Sequence, residues 1–225
     1  TPYGDSGVSA FAEQARLAGL DIVAELRFKV GDTDMSGLVK RARASGAAAV
    51  VMWGIGPELA SIARGMHSVG WRVPILGSWT LSMRNFIDAA GPAGEGALMP
   101  QTFIQDAGST TKNSFLLAYH RAFKTDLIPS PMSAAQGYDG MHLLAHAIRQ
   151  STTWDGDAIR NSLENLNFRY QGVVTSYERP FTPQDHDAIT NNMMVMGKVS
   201  NGRVDYAYIE DQQRSAIVRV KRTTH

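Results

Sequence analysis

His142 and His146 lie four residues apart in a segment with helical periodicity, so their imidazoles would share one helix face. Such a pair can bind a metal ion, but a zinc protease would need glutamate where Leu143 stands, and no third ligand is evident. The chain has no cysteine, which excludes disulfides, thiol catalysis and cysteine metal sites. We interpret both histidines as structural or surface residues and predict no metal.

The segment Gly4-Asp5-Ser6-Gly7 could present a nucleophilic serine. Serine catalysis also needs a histidine base and an aspartate that orients it, and the sequence before this segment supplies neither. A helix cap formed by Asp5 or Ser6 is the simpler interpretation. Because no set of nucleophile, base and orienting group can be assembled, the sequence predicts no enzyme.

Gly54-Ile55-Gly56 has the spacing of the first two glycines in a dinucleotide-binding loop. However, Leu59 stands at the third glycine position, and no acidic residue follows about 20 residues later. We therefore interpret these residues as a tight turn without a nucleotide, and the sequence predicts no cofactor.

The elements around this turn would place it against a ligand. Asp32 and Asp34 can cap a helix predicted over about 36–45. Ala47–Trp53 is a continuous apolar run, typical of a strand buried on both faces of a parallel sheet, and Pro57 suits the start of the next helix. A strand, a glycine turn and a helix in this order put a ligand beyond the carboxyl end of the strand.

Strand and helix patterns alternate up to about residue 103, which predicts an α/β fold with a parallel sheet and helices on both faces. The other helices predicted there are Ser6–Ala18, Leu59–Val69 and Met83–Ala90, and the other strands are Leu20–Leu26, Val73–Gly77 and Gly96–Phe103. The pattern then changes to the successive helices Lys112–Phe123, Met132–Gln150 and Gly156–Leu166. Strands are predicted over Gly172–Tyr177 and Met193–Lys198, followed by a turn at Gly202–Asp205 that leads to Tyr206–Ile209.

Composition and charge exclude several classes of partner. The 225 residues are 44% hydrophobic, which is enough for a sizeable core, and the formal net charge is +1. Without a basic block, nucleic acid and anionic membranes are poor partners. No run approaches the ~20 apolar residues of a membrane span.

A series of short signatures, in order and spacing, resembles the Leu/Ile/Val-binding family of ABC-transporter solute receptors. They are Tyr3-Gly4, Gly31-Asp32-Thr33-Asp34, Val69-Gly70, Ala90-Gly91, Glu95-Gly96 and Tyr138-Asp139-Gly140. The resemblance runs from residue 1 to about 210 and implies the type I periplasmic-binding-protein fold, a two-lobe parallel-sheet sandwich joined by three crossing strands. Roughly the N-terminal third of a typical member is absent, so lobe 1 would be incomplete in this chain. The expected domains are lobe 2 over 1–103, a helical remainder of lobe 1 over 104–191, a return strand to lobe 2 over 192–212 and a tail over 213–225.

Matched position by position, the family's ligand contacts fall on Tyr3, Ile55, Gly56, Trp79, Thr80, Thr102 and Phe103. Two alternatives stay open, since Tyr3 could be a frayed end and Trp79 could cap the lobe 2 core, and we interpret Trp53 as core. Amino-acid receptors of this family usually offer an acidic side chain at about the position of Trp79, and a buried ammonium without a carboxylate is costly. Either Glu58 serves instead, or the ligand has no α-ammonium. We favour an aromatic or other carboxylate.

The resemblance implies a non-catalytic receptor that captures a small carboxylate, aromatic or amino-acid-like, between two hinged lobes. It implies delivery to an ABC permease in the membrane, by a protein that is periplasmic or is an extracytoplasmic lipoprotein. The alternative is a ligand-sensing domain of a signalling or transcriptional regulator of the amide-sensor type. A transmembrane or DNA-binding segment in the full gene would favour that alternative.

The helix predicted near Ser133–Gln150 carries an apolar stripe that needs a packing partner. Its residues are Ala134, Tyr138, Met141, Leu144, Ala145 and Ile148. The resemblance assigns that partner to a sheet that this chain lacks. We therefore expect the helices between 112 and 166 to expose apolar surface, or to be covered by the missing N-terminal lobe segment or by another copy. At the C-terminus, the basic run Arg219–Arg222 is expected to be a solvated tail.

Overall fold

A computed structural model describes residues 1–106, 108–215 and 221. The chain divides into two units, Thr1–Pro100 with Gly197–Ala207, and Gln101–Met196 with the described part of Tyr208–His225. The helices are α1 (Pro2–Leu17), α2 (Ser36–Ala44), α3 (Gly56–Ser68), α4 (Arg84–Ala90), α5 (Thr110–Phe123), α6 (Pro131–Gln150), α7 (Gly156–Glu164) and α8 (Ile209–Ser215). The strands are β1 (Val50–Met52), β2 (Ile75–Gly77), β3 (Leu98–Gln101), β4 (Arg169–Gln171), β5 (Ser176–Glu178), β6 (Val195–Ser200) and β7 (Arg203–Tyr206).

The first unit is built on a mixed sheet with the strand order β1-β2-β3-β6-β7. β1, β2 and β3 are parallel, with Val50 opposite Ile75 and Leu76 opposite Leu98, whereas β6 and β7 form an antiparallel hairpin. Helices α2, α3 and α4 bury apolar side chains against this sheet, with Leu59 and Phe86 fully buried. The predicted α/β class is confirmed, and the parallel part places the carboxyl ends of β1 and β2 side by side.

The prediction of a strand at Leu20–Leu26 is wrong. These residues are paired with no strand among the described residues, and β1 forms an edge of the sheet. Leu20 is 61% exposed and Val23 is 56% exposed. An apolar β-branched run indicates a strand only if a neighbouring strand accepts its backbone hydrogen bonds, and no described strand does so here.

Helix starts were predicted with mixed success. The cap expected from Asp5 or Ser6 is wrong, because α1 begins at Pro2 and the Thr1 hydroxyl accepts the Gly4 N–H at 3.3 Å. Proline is favoured in the first turn, which moves the start upstream of the acidic residue. At α2, the predicted caps are wrong, because the N-cap residue is Met35 and no side chain caps the helix. The Asp34 carboxylate accepts the Ser36 N–H at 2.9 Å from the position before the cap, and the Asp32 carboxylate accepts the Lys29 N–H at 2.7 Å.

The second unit contains α5, α6, α7 and α8 with a short antiparallel hairpin of β4 and β5. The predicted strand over Gly172–Tyr177 is wrong in its first half, since residues 172–175 form the turn of that hairpin. The Val173 and Val174 amides donate to the Asp139 carboxylate instead of to a strand. Likewise, the turn predicted over Gly202–Asp205 is largely strand β7, and the turn lies at Asn201 and Gly202, whose amides donate to the Glu95 carboxylate.

Helix α6 has two apolar faces. One face packs inside the unit and buries Met132, Ala135, Leu143 and Ala147 together with Asp139. On the other face, Tyr138 is 36% exposed, Met141 64% and Ile148 37%, while Leu144 is half-buried. Residues of this unit therefore cover the predicted stripe only in part, and Met141 is its most exposed member.

Within the described ranges, no helix combines the length and apolarity needed to cross a bilayer. The predicted tail over 213–225 lies mostly outside the described residues. Its Lys221 departs from the expected solvated state. Its side chain is 9% exposed, and the ammonium forms an ion pair with Asp185 at 2.6 Å and donates to the Pro180 carbonyl at 2.8 Å.

Candidate ligand-binding site

The turn Gly54-Ile55-Gly56 joins the end of β1 to the start of α3. Gly56 has φ +40°, and a Cβ there would lie 2.4 Å from the Asn85 amide nitrogen, so both conformation and space require glycine. Ile55 directly precedes α3, makes no side-chain cap bond and is 54% exposed. The turn thus presents an apolar side chain beside an uncapped helix start.

Trp79 and Thr80 follow β2 at the start of a short 3-10 helix, Trp79–Ser82, and this segment is tied to that turn. The Thr80 hydroxyl donates to the Gly54 carbonyl at 2.8 Å and lies 2.8 Å from the Ser78 hydroxyl. Trp79 is partly exposed, and its carbonyl accepts the Ser82 hydroxyl at 2.7 Å. Two loops at the carboxyl ends of neighbouring parallel strands are therefore fixed to each other, where α/β proteins bind ligands.

Tyr3 meets the same region from α1. Its ring centroid lies 6.3 Å from that of Trp53, with an interplanar angle of 48°. Trp53, interpreted from sequence as core, is only partly buried and stands immediately before the glycine turn. The position of Trp53 next to the glycine turn could have been noticed in the sequence. Its contact with Tyr3 could not, because that contact depends on where α1 packs.

Thr102 and Phe103 belong to the second unit and are firmly held there. The Thr102 hydroxyl accepts a hydrogen bond from Gln136 Nε2 at 2.9 Å, and its N–H donates to the Met132 sulfur at 3.4 Å. Phe103 is 2% exposed and meets Phe115 edge-to-face at 5.7 Å. The first unit therefore places Ile55, Gly56, Trp79 and Thr80 at the carboxyl ends of β1 and β2, where Thr80 is only 1% exposed. Tyr3 reaches this region through its contact with Trp53. Thr102 and Phe103 lie in a separate cluster.

Asp139 is a buried carboxylate in the second unit. It accepts hydrogen bonds from the Val173 and Val174 amides at 2.7 and 2.8 Å, and from the Tyr177 and Tyr170 hydroxyls at 3.0 and 3.4 Å. Burial raises the pKa of this carboxyl, while the four donors act in the opposite direction. Because the Val173 and Val174 amides both donate to Asp139, this carboxylate anchors the β4–β5 turn to α6.

Glu58, which the sequence offered as a ligand-binding acid, and the histidine pair, which it offered as metal ligands, all contact other parts of the protein. Glu58 accepts the Gly31 N–H at 2.8 Å. His142 stacks on Tyr170 at 5.3 Å, and His146 on Phe168 at 3.9 Å. Among the residues that the structure describes, no group of three or more histidine and acidic side chains could hold a metal ion.

Solved structures define the class of fold. A type 1 periplasmic binding protein from Bordetella pertussis Tohama I matches with a TM-score of 0.79 and 25% identity over 92% of this chain and 59% of that one. An ABC-transporter solute-binding protein from R. palustris, solved in complex with benzoate, matches with a TM-score of 0.72 and 16% identity over 89% of this chain and 53% of that one. The chain therefore has the type I periplasmic-binding fold.

The family follows from the sequence comparison. The model for the periplasmic binding protein family matches residues 1–203, so the chain belongs to that family. It is 26% identical over 164 residues to Leu/Ile/Val-binding protein homolog 3 of Brucella melitensis biotype 1, which covers 72% of this chain and 43% of the relative. The chain thus spans about half the length of the relatives it matches.

Proposed function

We propose that this chain is part of an extracytoplasmic solute-binding receptor that captures a small carboxylate for an ABC importer. The observation that carries the proposal is the tie between Thr80 and the Gly54 carbonyl, which fixes two ligand-facing loops at one sheet edge. A preformed surface of backbone turns and aromatic side chains suits binding without catalysis.

The preferred ligand is an aromatic carboxylate. Trp79 occupies the place where a receptor for α-amino acids would offer an acid, and Glu58 is engaged by the Gly31 amide. An ammonium brought here would lose its hydration, and the Glu58 carboxylate that could replace it already accepts one hydrogen bond. The R. palustris protein solved with benzoate supports an aromatic acid within this fold, whereas the name of the Brucella relative favours branched-chain amino acids.

The proposed receptor works in the periplasm or as an extracytoplasmic lipoprotein, closes its lobes on the ligand and presents it to a membrane permease. A further part of the receptor, the missing N-terminal lobe segment or another copy, would cover the uncovered face of α6. The exposure of Met141 and Ile148 supports this cover.

Isothermal titration calorimetry on the full-length protein with benzoate and with leucine tests the ligand class. We expect benzoate to bind at least about tenfold more tightly, a difference of ~1.4 kcal/mol. Tighter binding of leucine would reject the aromatic acid but keep the receptor function. Turnover of either compound would reject the receptor function itself.

A further inference from the structure

The sheet of the first unit has an open edge at β1. The Val50 N–H donates to the Pro74 carbonyl at 2.9 Å, so Val50 faces the β2 side. The Met52 carbonyl accepts the Ser78 N–H at 3.3 Å and faces the same way. Successive residues of a strand turn their backbone groups to opposite sides, so the N–H and carbonyl of Val51 face away from β2. Among the described residues, no strand pairs with that side of β1.

Residues 20–26 form a second stretch that pairs with no strand in the described part of the chain. Leu20 is 61% exposed, Ile22 47% and Val23 56%. Apolar and β-branched side chains of this kind are typical of a strand covered by the rest of a sheet, and their exposure to water is costly. The first unit therefore has an open strand edge and an exposed strand-like stretch at the same time.

Helix α1 begins beside the carboxyl end of β1. A Cβ at Gly7 would lie 2.1 Å from the ring of Trp53, the residue that directly follows β1. The 16 residues of α1 span about 24 Å, so the other end of the helix lies far from this point. There the Leu20 N–H donates to the Ala15 carbonyl at 2.8 Å, which joins the start of the exposed stretch to the end of α1.

The exposed stretch then returns to the carboxyl end of β1. A Cβ at Gly54 would lie 2.9 Å from the Phe28 ring, and Arg27 forms an ion pair at 2.5 Å with Asp5 near the start of α1. Residues 20–28 therefore run in the direction of a strand parallel to β1. A helix that leads into such a strand is normally the crossover from another parallel strand of the same sheet.

We propose that a strand of the receptor outside residues 1–225 leads into α1 and inserts between β1 and residues 20–26, parallel to both. This inference rests on the proposed function only in taking the chain as part of a longer receptor, and the length of the relatives leaves room for such a strand. The inserted strand bonds the free backbone groups of Val51 on one side and those of residues 20–26 on the other. About five apolar residues are enough to fill the gap.

Hydrogen exchange followed by NMR on the ligand-free full-length protein tests the inserted strand. The Val50 amide is hydrogen-bonded in the sheet, so at an open edge the Val51 amide should exchange at least about 100-fold faster than its neighbour. With the strand in place, the two amides should exchange within about tenfold of each other, and the amides of residues 20–26 should be protected too. Cross-strand NOEs from the Val51 amide to residues that precede Thr1 identify the strand. A Val51 amide that keeps the fast exchange of an open edge would overturn the proposal.

Two matched substitutions in the full-length protein give a readout that needs no NMR assignment. Val23 and Val30 are 56% and 81% exposed in residues 1–225, but only Val23 lies in the stretch that the inserted strand covers. Val23→Lys should therefore lower the melting temperature of the full-length protein by at least about 5 °C, because it places a charge inside the completed sheet. Val30→Lys should change it by less than about 2 °C. Equal melting temperatures of the two variants would contradict the inserted strand.

The inserted strand and the ligand class can fail separately. Protection of the Val51 amide that is lost on dilution would assign the open edge to a second copy of the chain and overturn the proposal. Neither measurement uses a ligand. A full-length protein that shows the strand but binds neither benzoate nor leucine would therefore reject the proposed carboxylate function and support the inserted strand.

Discussion

Trp79 and Trp154 show how position decides what a tryptophan can do. Trp79 lies two residues after β2, at the start of a 3-10 helix that Thr80 ties to the Gly54 turn, whereas Trp154 stands two residues before α7 and is 86% exposed. Only the first stands at a sheet edge where ligands bind. An exposed ring such as that of Trp154 offers apolar surface but does not form a defined side of a ligand site.

Trp79→Ala should therefore weaken binding of an aromatic acid several-fold, since ring stacking contributes about 0.5–1.5 kcal/mol beyond the buried area. Calorimetry with benzoate on the full-length protein measures the change, and Trp154→Ala should leave affinity unaltered. Unchanged benzoate affinity in Trp79→Ala would instead assign this residue to the core of the unit.

Asp139 is the residue whose removal should cost the second unit most. Asp139→Asn keeps the size of the side chain but turns an amide N–H₂ toward donors that need an acceptor, including the Val173 and Val174 amides. We expect a loss of at least about 2 kcal/mol in the free energy of unfolding, measured by urea denaturation. Asp157→Asn on α7, where the carboxylate is 82% exposed, is the control and should change stability by less than about 0.5 kcal/mol. Equal stability of the two variants would show that Asp139 is dispensable as an anchor.

At the scale of elements, helices could be predicted and strands only in part. The starts and ends of α2 to α7 agree with the predicted helices to within a few residues, because caps and helical periodicity are local properties. The strand predictions were wrong at Leu20–Leu26 and in the first half of Gly172–Tyr177, because strand formation depends on a partner elsewhere in the chain. The same limit applies to the site. The glycine turn could be predicted from Gly54 and Gly56, but the contact of Trp53 with Tyr3 depends on how α1 packs.

The β4–β5 hairpin gives an element-scale prediction, because its turn has no room for a side chain at Gly172. A Cβ there would lie 2.5 Å from the Asp139 carboxylate and 2.6 Å from the Tyr177 ring. Gly172→Ala should therefore destabilise the protein by about 1–3 kcal/mol, as other overpacked sites do. Gly140→Ala, in the middle of α6 with open space around its Cβ, should be neutral or stabilising by up to about 1 kcal/mol. Thermal denaturation of both variants tests this, and the reverse order of stability would contradict the packing of the turn against α6.

At the scale of the whole molecule, the chain is about half of its relatives in length and carries uncovered apolar surface in its second unit. Phe123 is 64% exposed on α5, and Met141 has the same exposed fraction on α6. Burial of such side chains is worth about 1.5–3 kcal/mol each, so a folded receptor gains stability if another segment covers them. The exposed stripe and the length of the relatives thus support the same expectation.

Met141→Ala separates a covered helix face from a free one, because alanine keeps helix propensity and removes only the apolar side chain. In residues 1–225 alone, where Met141 is 64% exposed, the substitution should change the free energy of unfolding by less than about 0.5 kcal/mol. In the full-length receptor, where we expect the side chain to be buried, the loss should reach about 2 kcal/mol or more. Arg149→Ala on the same helix should be neutral in both proteins.

Sedimentation of the full-length protein then identifies what covers this face of α6. A monomer assigns the cover to a further segment of the receptor itself, and a dimer assigns it to a second copy. A neutral effect of Met141→Ala in the full-length protein would mean that the face of α6 stays open to solvent.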